Sequence, residues 1–178
     1  MSNIKVLDKE FEPYLSEQLI QEKITALAHQ LNEEYAGKRP IFLSILNGSF
    51  LFTADLFKQI TIEAEVCFIK LASYKGTSST GNVITAIGLD TNVNGRDIII
   101  VEDIIDTGKT LHHFLPQLAS SNPSSIKIAV LLNKTEALAY PVKVDYACFD
   151  IPNKFVVGYG LDDEERYRNL PYVAVLGD

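Results

Sequence analysis

Cysteine is scarce in these 178 residues: only Cys67 and Cys148, each inside an apolar, strand-like run (Val66-Cys67-Phe68 and Ala147-Cys148-Phe149). Thiols in that setting read as small buried hydrophobes, so no disulfide framework is expected to hold the fold. Long apolar runs are missing too. None approaches the ~18 residues of a membrane span, and the stretch from Met1 to Glu10 lacks the apolar core of a signal peptide. Basic charge is in deficit: 16 Lys and Arg against 23 Asp and Glu leave a net charge of −7 and a pI near 5.0. That balance argues against a nucleic-acid surface and against attraction to an anionic membrane. Histidine offers no metal site, because His29 stands alone and His112 and His113 are helix neighbours that face different directions. The absences together imply a cytoplasmic protein, with no nucleic acid and no membrane among its partners.

What is present is apolar content, 47% of the chain. That suffices for one domain with a substantial core and not for two, so residues 1–178 are expected to form a single domain. Its organising stretch is Ile98-Ile99-Ile100-Val101-Glu102-Asp103-Ile104-Ile105-Asp106-Thr107-Gly108-Lys109-Thr110-Leu111. Four consecutive β-branched residues without polar alternation predict a strand buried on both faces, as in a parallel sheet covered by helices. Two carboxylates follow at once, then the small polar segment 106–110, then helical spacing with Leu111, Phe114, Leu115 and Leu118 on one face. In a strand-loop-helix unit the loop lies at the carboxyl end of the strand, where open α/β sheets bind ligands. The free N–H groups of the first helical turn there favour an anion such as phosphate. Gly108-Lys109-Thr110 looks like the end of a nucleoside-triphosphate P-loop, but the position five residues earlier, which that motif needs as glycine, is Asp103. A carboxylate pair repels a triphosphate and suits the hydroxyls of a ribose, or a divalent cation shared with one. The run reads as a phosphosugar site.

Along the rest of the chain, residues 4–12 read as an extended arm. A helix is expected from the N-cap Ser16 to Gly37, with Leu19, Ile20, Ile24, Leu27, Ala28 and Leu31 on its buried stripe. A strand over 41–46 leads through Asn47-Gly48-Ser49 into a helix over 50–60, a second strand-loop-helix unit with glycine at the turn. Strands are expected over 64–74 and 83–89. The connector 75–82 between them is small, polar and bracketed by Gly76 and Gly81; composition leaves it open between a plain hairpin loop and a lid over a site. A strand over 126–132 ends just before Lys134, and three more are expected over 144–149, 155–159 and 172–176. The mixed-charge segment from Asp162 to Arg168 is by charge alone a solvated face. Gly158-Tyr159-Gly160 is no dinucleotide fingerprint, because Asp163 stands in the place of its third glycine.

The 98–111 run resembles the 5-phosphoribosyl-1-pyrophosphate (PRPP) binding motif of type I phosphoribosyltransferases, and most closely that of the hypoxanthine-guanine phosphoribosyltransferases. Further blocks follow in that family's order from about Pro40 to Tyr172. The resemblance implies an α/β fold of three layers, a mostly parallel central sheet flanked by helices, with a small hood subdomain built from the two ends of the chain. It also implies purine salvage: transfer of the 5-phosphoribosyl group from PRPP to N9 of hypoxanthine, and of guanine, giving IMP or GMP and pyrophosphate, with Mg²⁺ as cofactor.

Roles carried over by the resemblance are residue-specific. Asp106, Thr107, Gly108, Lys109 and Thr110 would hold the 5-phosphate, with Asp106 also the catalytic base that accepts the N7 proton. Glu102 and Asp103 would hold the ribose and, with Asp162, the metal. Leu46, Asn47, Gly48 and Arg168 would bind pyrophosphate, with a non-proline cis peptide at Leu46-Asn47. Many relatives have Lys or Arg where this chain has Asn47. Ser73 and Tyr74 would form the base of the lid. Lys134 would read the 6-oxo group of the purine, Phe155 would lie over the base, and Val156 and Asp162 would complete its pocket. Two alternatives stand beside this reading: a xanthine- and guanine-preferring phosphoribosyltransferase, and a PRPP-binding regulatory protein without catalysis. The acidic charge and the intact pair Lys134 and Phe155 count against the second. Relatives form dimers or tetramers, so a homo-oligomer is implied.

Overall fold

A computed structural model describes residues 4–6, 9–74 and 83–177. The β-branched run lies in β6 (Asp97–Ile105), inside a six-stranded sheet whose other members are β3 (Ile41–Leu46), β4 (Glu65–Tyr74), β5 (Val83–Ile87), β7 (Ser125–Asn133) and β8 (Tyr146–Asp150). Their order is β5-β4-β3-β6-β7-β8, with every pair parallel except the edge pair β4 and β5. Residues 98 to 101 are fully buried because both faces are covered. Ile99 and Val101 pack in the core that holds α1 (Glu17–Glu34) and α2 (Phe50–Phe57); Ile98 and Ile100 pack with α3 (Lys109–Ala119). Each such side chain contributes roughly 1.5–3 kcal/mol of burial before conformational entropy is set against it.

Strand order reverses between β3 and β6. The two pair from Ile41 opposite Ile98 to Ser44 opposite Val101 and then part, β3 continuing beside β4 to Leu46 and β6 beside β7 to Ile105. A crevice opens where they separate, the topological switch point at which doubly wound sheets take their ligands. Over it stands the hood, an antiparallel sheet of order β1-β2-β10-β9 made of β1 (Ile4–Val6), β2 (Lys9–Leu15), β9 (Val156–Val157) and β10 (Val173–Leu176). It joins the two ends of the chain, as expected.

Several boundaries differ from the sequence reading. The arm over 4–12 is a hairpin of two strands. Ser16 does cap α1, but Leu19 is 37% exposed: the buried stripe is Ile20, Ile24, Leu27, Ala28 and Leu31, and Leu19 falls outside that spacing. α2 stops at Phe57, and tight turns from Gln59 N–H to Leu56 O and Ile60 N–H to Phe57 O carry the chain on. The strand over 155–159 shrinks to Val156–Val157 because Gly158, Tyr159 and Gly160 all have positive φ, and a side chain at Gly158 would run into the Tyr172 carbonyl. β6 continues past Val101 through Glu102 and Asp103 to Ile105, so both acids lie within the strand near its carboxyl end. Cys148 is buried, whereas Cys67 is only partly so; both are free thiols. No helix among the described residues is long and apolar enough to cross a membrane.

Candidate active site

The carboxyl ends of β3, β6 and β7 bring Asn47, Asp106 and Lys134 to one side of the sheet. Gly108 takes the left-handed conformation (φ 77°) that turns the chain into α3, and a side chain there would press on the Tyr140 carbonyl and Leu138. The N-cap residue Gly108 has no side chain to cap α3, and the Lys109 N–H makes only a long hydrogen bond, 3.4 Å, to Thr107 Oγ1. By contrast, Ser16 Oγ caps α1 by accepting the Leu19 N–H at 3.2 Å. The open helix end faces a cavity of about 120 Å³ lined by Glu102 and residues 104–111. The loop is braced from behind: the Thr107 carbonyl accepts the N–H groups of Ala139 and Tyr140 at 3.1 and 3.0 Å. Uncapped amides around a small polar hollow form an anion nest. A larger groove of about 450 Å³, lined by His112, Leu115, Pro116, Ile126 and Lys143 among others, contains none of these residues.

Glu102 borders this cavity, while Asp103 lies against the loop after β3. A side chain at Gly48 would collide with the Asp103 carboxylate, so glycine is what lets that loop fold back onto β6. Burial pushes the Asp103 carboxyl up to about 6, against the opposing pull of backbone hydrogen bonds and of Arg168. Glu102 is held well above the usual carboxylate range, by burial first and by the neighbouring Asp103 charge second. The peptide Leu46-Asn47 is cis. Above the loop, Gly160 (φ 99°) abuts Gly48 so closely that a side chain at Gly160 would strike the Gly48 carbonyl. Gly160 is itself held by Arg168, whose carbonyl accepts the Gly160 N–H at 2.9 Å and whose Nη1 donates to the Gly160 carbonyl at 2.8 Å.

Arg168 also pairs with Asp162 Oδ1 at 2.9 Å and Glu165 Oε2 at 3.0 Å. Of the three acids expected at a metal, Asp162 is engaged by Arg168 and Asp103 faces Gly48, and among the described residues no three His, Cys, Asp or Glu side chains converge on one point. Lys134 is the buried cation of the site. Its side chain is 8% exposed and its Nζ lies 3.3 Å from Oδ2 of Asp106, itself 52% exposed. The Phe155 ring is 44% exposed and packs tilted against Phe11 at 6.1 Å, and Val156 is buried beside it in β9. Ser73 and Tyr74 end β4 opposite Ile84 and Val83, and the expected lid, 75–82, lies outside the described residues.

Two features escaped the sequence reading. Asp55 accepts hydrogen bonds from Tyr159 Oη at 2.6 Å and Gln21 Nε2 at 2.8 Å and pairs with Lys58 at 2.7 Å, which ties the segment carrying Gly160 to α1 and α2. The signal was one acid in the apolar stretch Phe50-Leu51-Phe52-Thr53-Ala54-Asp55-Leu56-Phe57. Gly160 was seen only as a failed fingerprint, since its close approach to Gly48 joins residues over a hundred positions apart.

The chain that brings an uncapped helix end, strand-end acids and a buried lysine to one switch point is similar to known proteins. The phosphoribosyl transferase domain family matches residues 11–164, and the chain belongs to that family. Among curated relatives, the hypoxanthine-guanine phosphoribosyltransferase of Lactococcus lactis is 51% identical over 97% of this chain and 94% of its own length. That of Streptococcus thermophilus is 44% identical over 96% of each. Solved structures agree. The hypoxanthine phosphoribosyltransferase of Staphylococcus aureus superposes with a TM-score of 0.87 at 36% identity, covering 93% of this chain and 91% of that one. A hypoxanthine-guanine phosphoribosyltransferase of Bacillus anthracis gives a TM-score of 0.86 at 36% identity, over 93% and 98%.

Proposed function

We propose that this chain transfers the 5-phosphoribosyl group of PRPP to N9 of hypoxanthine and guanine. The observation that carries the reading is the buried Lys134 ammonium, 3.3 Å from Asp106 and next to the anion nest of α3. An ammonium has donors only, which suits the O6 of a 6-oxopurine; the adjoining carboxylate suits its N7 proton. Base, sugar and phosphate are then aligned along the carboxyl ends of β7 and β6. The bond from N9 to C1 of the ribose forms as the bond from C1 to pyrophosphate breaks, and Asp106 takes the N7 proton. Residues 106–110 hold the 5-phosphate through backbone amides, and Glu102 and Asp103 orient the ribose hydroxyls. Gly48, Asn47 and Arg168 receive the departing pyrophosphate, and the exposed Phe155 face covers the base.

Magnesium fits the donor set, since Glu102, Asp103 and Asp162 offer hard carboxylate oxygens, and Glu102 and Asp103 are held up by burial that a cation would offset. It would be held partly by substrate oxygens and water, and it supplies neutralisation of the leaving group. The reading extends to a cytoplasmic protein and to a homo-oligomer, the latter supported by the exposed Val66 and Phe68 on one side of β4. The test is turnover of purified protein with PRPP and Mg²⁺ on hypoxanthine, guanine, xanthine and adenine in turn. Product from hypoxanthine and guanine is expected, and no turnover of any base overturns the reading.

A further inference from the structure

Between β3 and α2, in a core otherwise lined by residues such as Phe42, Phe52 and Leu56, lie three fully buried hydroxyls, those of Ser44, Ser49 and Thr53. Ser49 Oγ donates to the Ile45 carbonyl at 2.5 Å, and Ser44 Oγ sits 2.8 Å from Ser49 Oγ and 2.7 Å from Thr53 Oγ1. Each hydroxyl has one proton to give. Because that of Ser49 is committed to Ile45, Ser44 must donate to Ser49, and Thr53 must then donate to Ser44. The result is a one-way chain from α2 to the carbonyl at the end of β3.

Ser49 stands just before α2, where a serine ordinarily caps the first turn as Ser16 does for α1. It does not cap α2. Its side chain instead closes the bend from Ile45 to Ser49, on which Gly48 is pressed between Asp103 and Gly160. Apolar side chains would fill this interface without desolvating three hydroxyls; what hydroxyls add is a fixed direction for the bend. The loop carries Asn47 and no cationic side chain, so its grip on an anion depends on where its backbone amides point.

We propose that Ser49, backed by Ser44 and Thr53, is the positioning residue of the pyrophosphate-binding loop, setting the backbone of residues 46–48 for the leaving group. This rests on the reading of that loop as the pyrophosphate site. The experiment titrates Mg-pyrophosphate into the full chain, following the backbone amides of Asn47 and Gly48 by NMR, alongside KM for PRPP and for hypoxanthine. In the wild type both amides should shift. If they do not, the pyrophosphate reading fails and takes this inference with it. In Ser49→Ala, Kd for Mg-pyrophosphate and KM for PRPP should rise about tenfold, the equivalent of one lost hydrogen bond of ~1.4 kcal/mol, with KM for hypoxanthine within about twofold. A merely structural role would lower the melting temperature and leave that split unmoved. Wild-type shifts together with an unchanged Kd in Ser49→Ala overturn the inference and leave the pyrophosphate reading standing. Should Ser49→Ala fail to fold, Thr53→Val, which keeps shape and loses the hydroxyl, is set against Thr53→Ser, which keeps the hydroxyl. A weaker Kd in the first alone supports the chain, and equal values overturn it.

Discussion

The two ends of the six-stranded sheet both carry charge and use it in opposite ways. At the amino ends the chain supplies its own partners. Arg96 reaches Glu65 at 2.9 Å and the Arg39 carbonyl at 2.7 Å, Ser125 donates to Asp97 at 2.6 Å, and Glu34 receives the Lys127 ammonium and, at 2.6 Å, the Tyr146 hydroxyl. At the carboxyl ends some pairs are also made within the chain, as Asn133 donating to Asp150 at 2.8 Å, but the groups around the switch point are left short of partners. Glu102 and Asp103 are crowded until their carboxyls resist ionising, Asp106 makes a long contact to a buried lysine, and α3 starts at a glycine that has no side chain to cap it. Burial, hydrogen bonding and Coulomb attraction act alike at both ends. The closed end holds the fold, and the open end holds binding capacity in reserve for a substrate. Substitutions at the open end should therefore change chemistry with little change in melting, and those at the closed end the reverse.

The largest effect expected concerns Lys134. Adenine would set an amino group against an ammonium, donor facing donor, leaving the substrate N–H without an acceptor and Lys134 with only its contact to Asp106. Sites built on such contacts reject the wrong partner by ~10⁴-fold or more. Hypoxanthine should exceed adenine by that order in kcat/KM, and Lys134→Met, which keeps much of the apolar stem, should collapse the ratio. Adenine within ~10-fold of hypoxanthine in the wild type, or a ratio untouched in the variant, would break the assignment of Lys134 as the specificity element. Next comes Asp106→Asn, which keeps the loop shape and removes the proton acceptor. A fall in kcat of ~10²-fold or more is expected, with PRPP affinity changed much less. Comparable turnover would move the base role elsewhere. Gly48→Ala follows, since its methyl must displace either the loop or the Asp103 carboxylate. Misplacement of that size costs roughly 10- to 10²-fold in kcat/KM for PRPP, and unchanged kinetics would show that the Gly48 and Asp103 contact is incidental to the chemistry.

What the sequence disclosed follows the same division. The unbroken run from Ile98 to Val101 announced a doubly covered strand, and the spacing of Leu111, Phe114 and Leu118 announced the helix after the loop, because each signal is local. Strand pairing is not. The hood needed β2 and β10 to meet from opposite ends of the chain, and nothing in residues 4–12 or 172–176 alone says that they do. Gly160 against Gly48, Tyr159 on Asp55 and Ser49 turned away from α2 were hidden for one reason: each residue type has an ordinary local role, as turn, aromatic core or cap, and only the tertiary fold assigns it another. Resemblance supplied roles for Lys134 and Arg168 that spacing could not, yet the ion pair holding Asp162 to Arg168 came only with the coordinates.

The smallest effect expected lies at the closed end and sharpens the contrast. The Glu34 carboxyl is held below its ordinary value of 4.5 by the Lys127 hydrogen bond first and the Tyr146 hydroxyl second. For a carboxyl with a depressed value the unfolded chain binds more protons at acid pH. Its contribution to stability is therefore fully present above the unfolded value of about 4.5 and disappears as pH falls through the lower folded value. The pair is about one-third exposed on each side, so water screens it and its worth is on the order of 0.5–1 kcal/mol. Glu34→Gln should consequently lower the melting temperature by a few degrees at pH 7, by less in high salt, and by progressively less as pH falls below 4.5. Purine and PRPP kinetics should stay within about twofold, because none of the groups touched lies at the carboxyl ends of the strands. A melting difference that persists undiminished at pH 3 would show that Glu34 acts through packing rather than charge. A tenfold loss of kcat without a loss of stability would mean that the two ends of the sheet are coupled, and the separation drawn between them would fall.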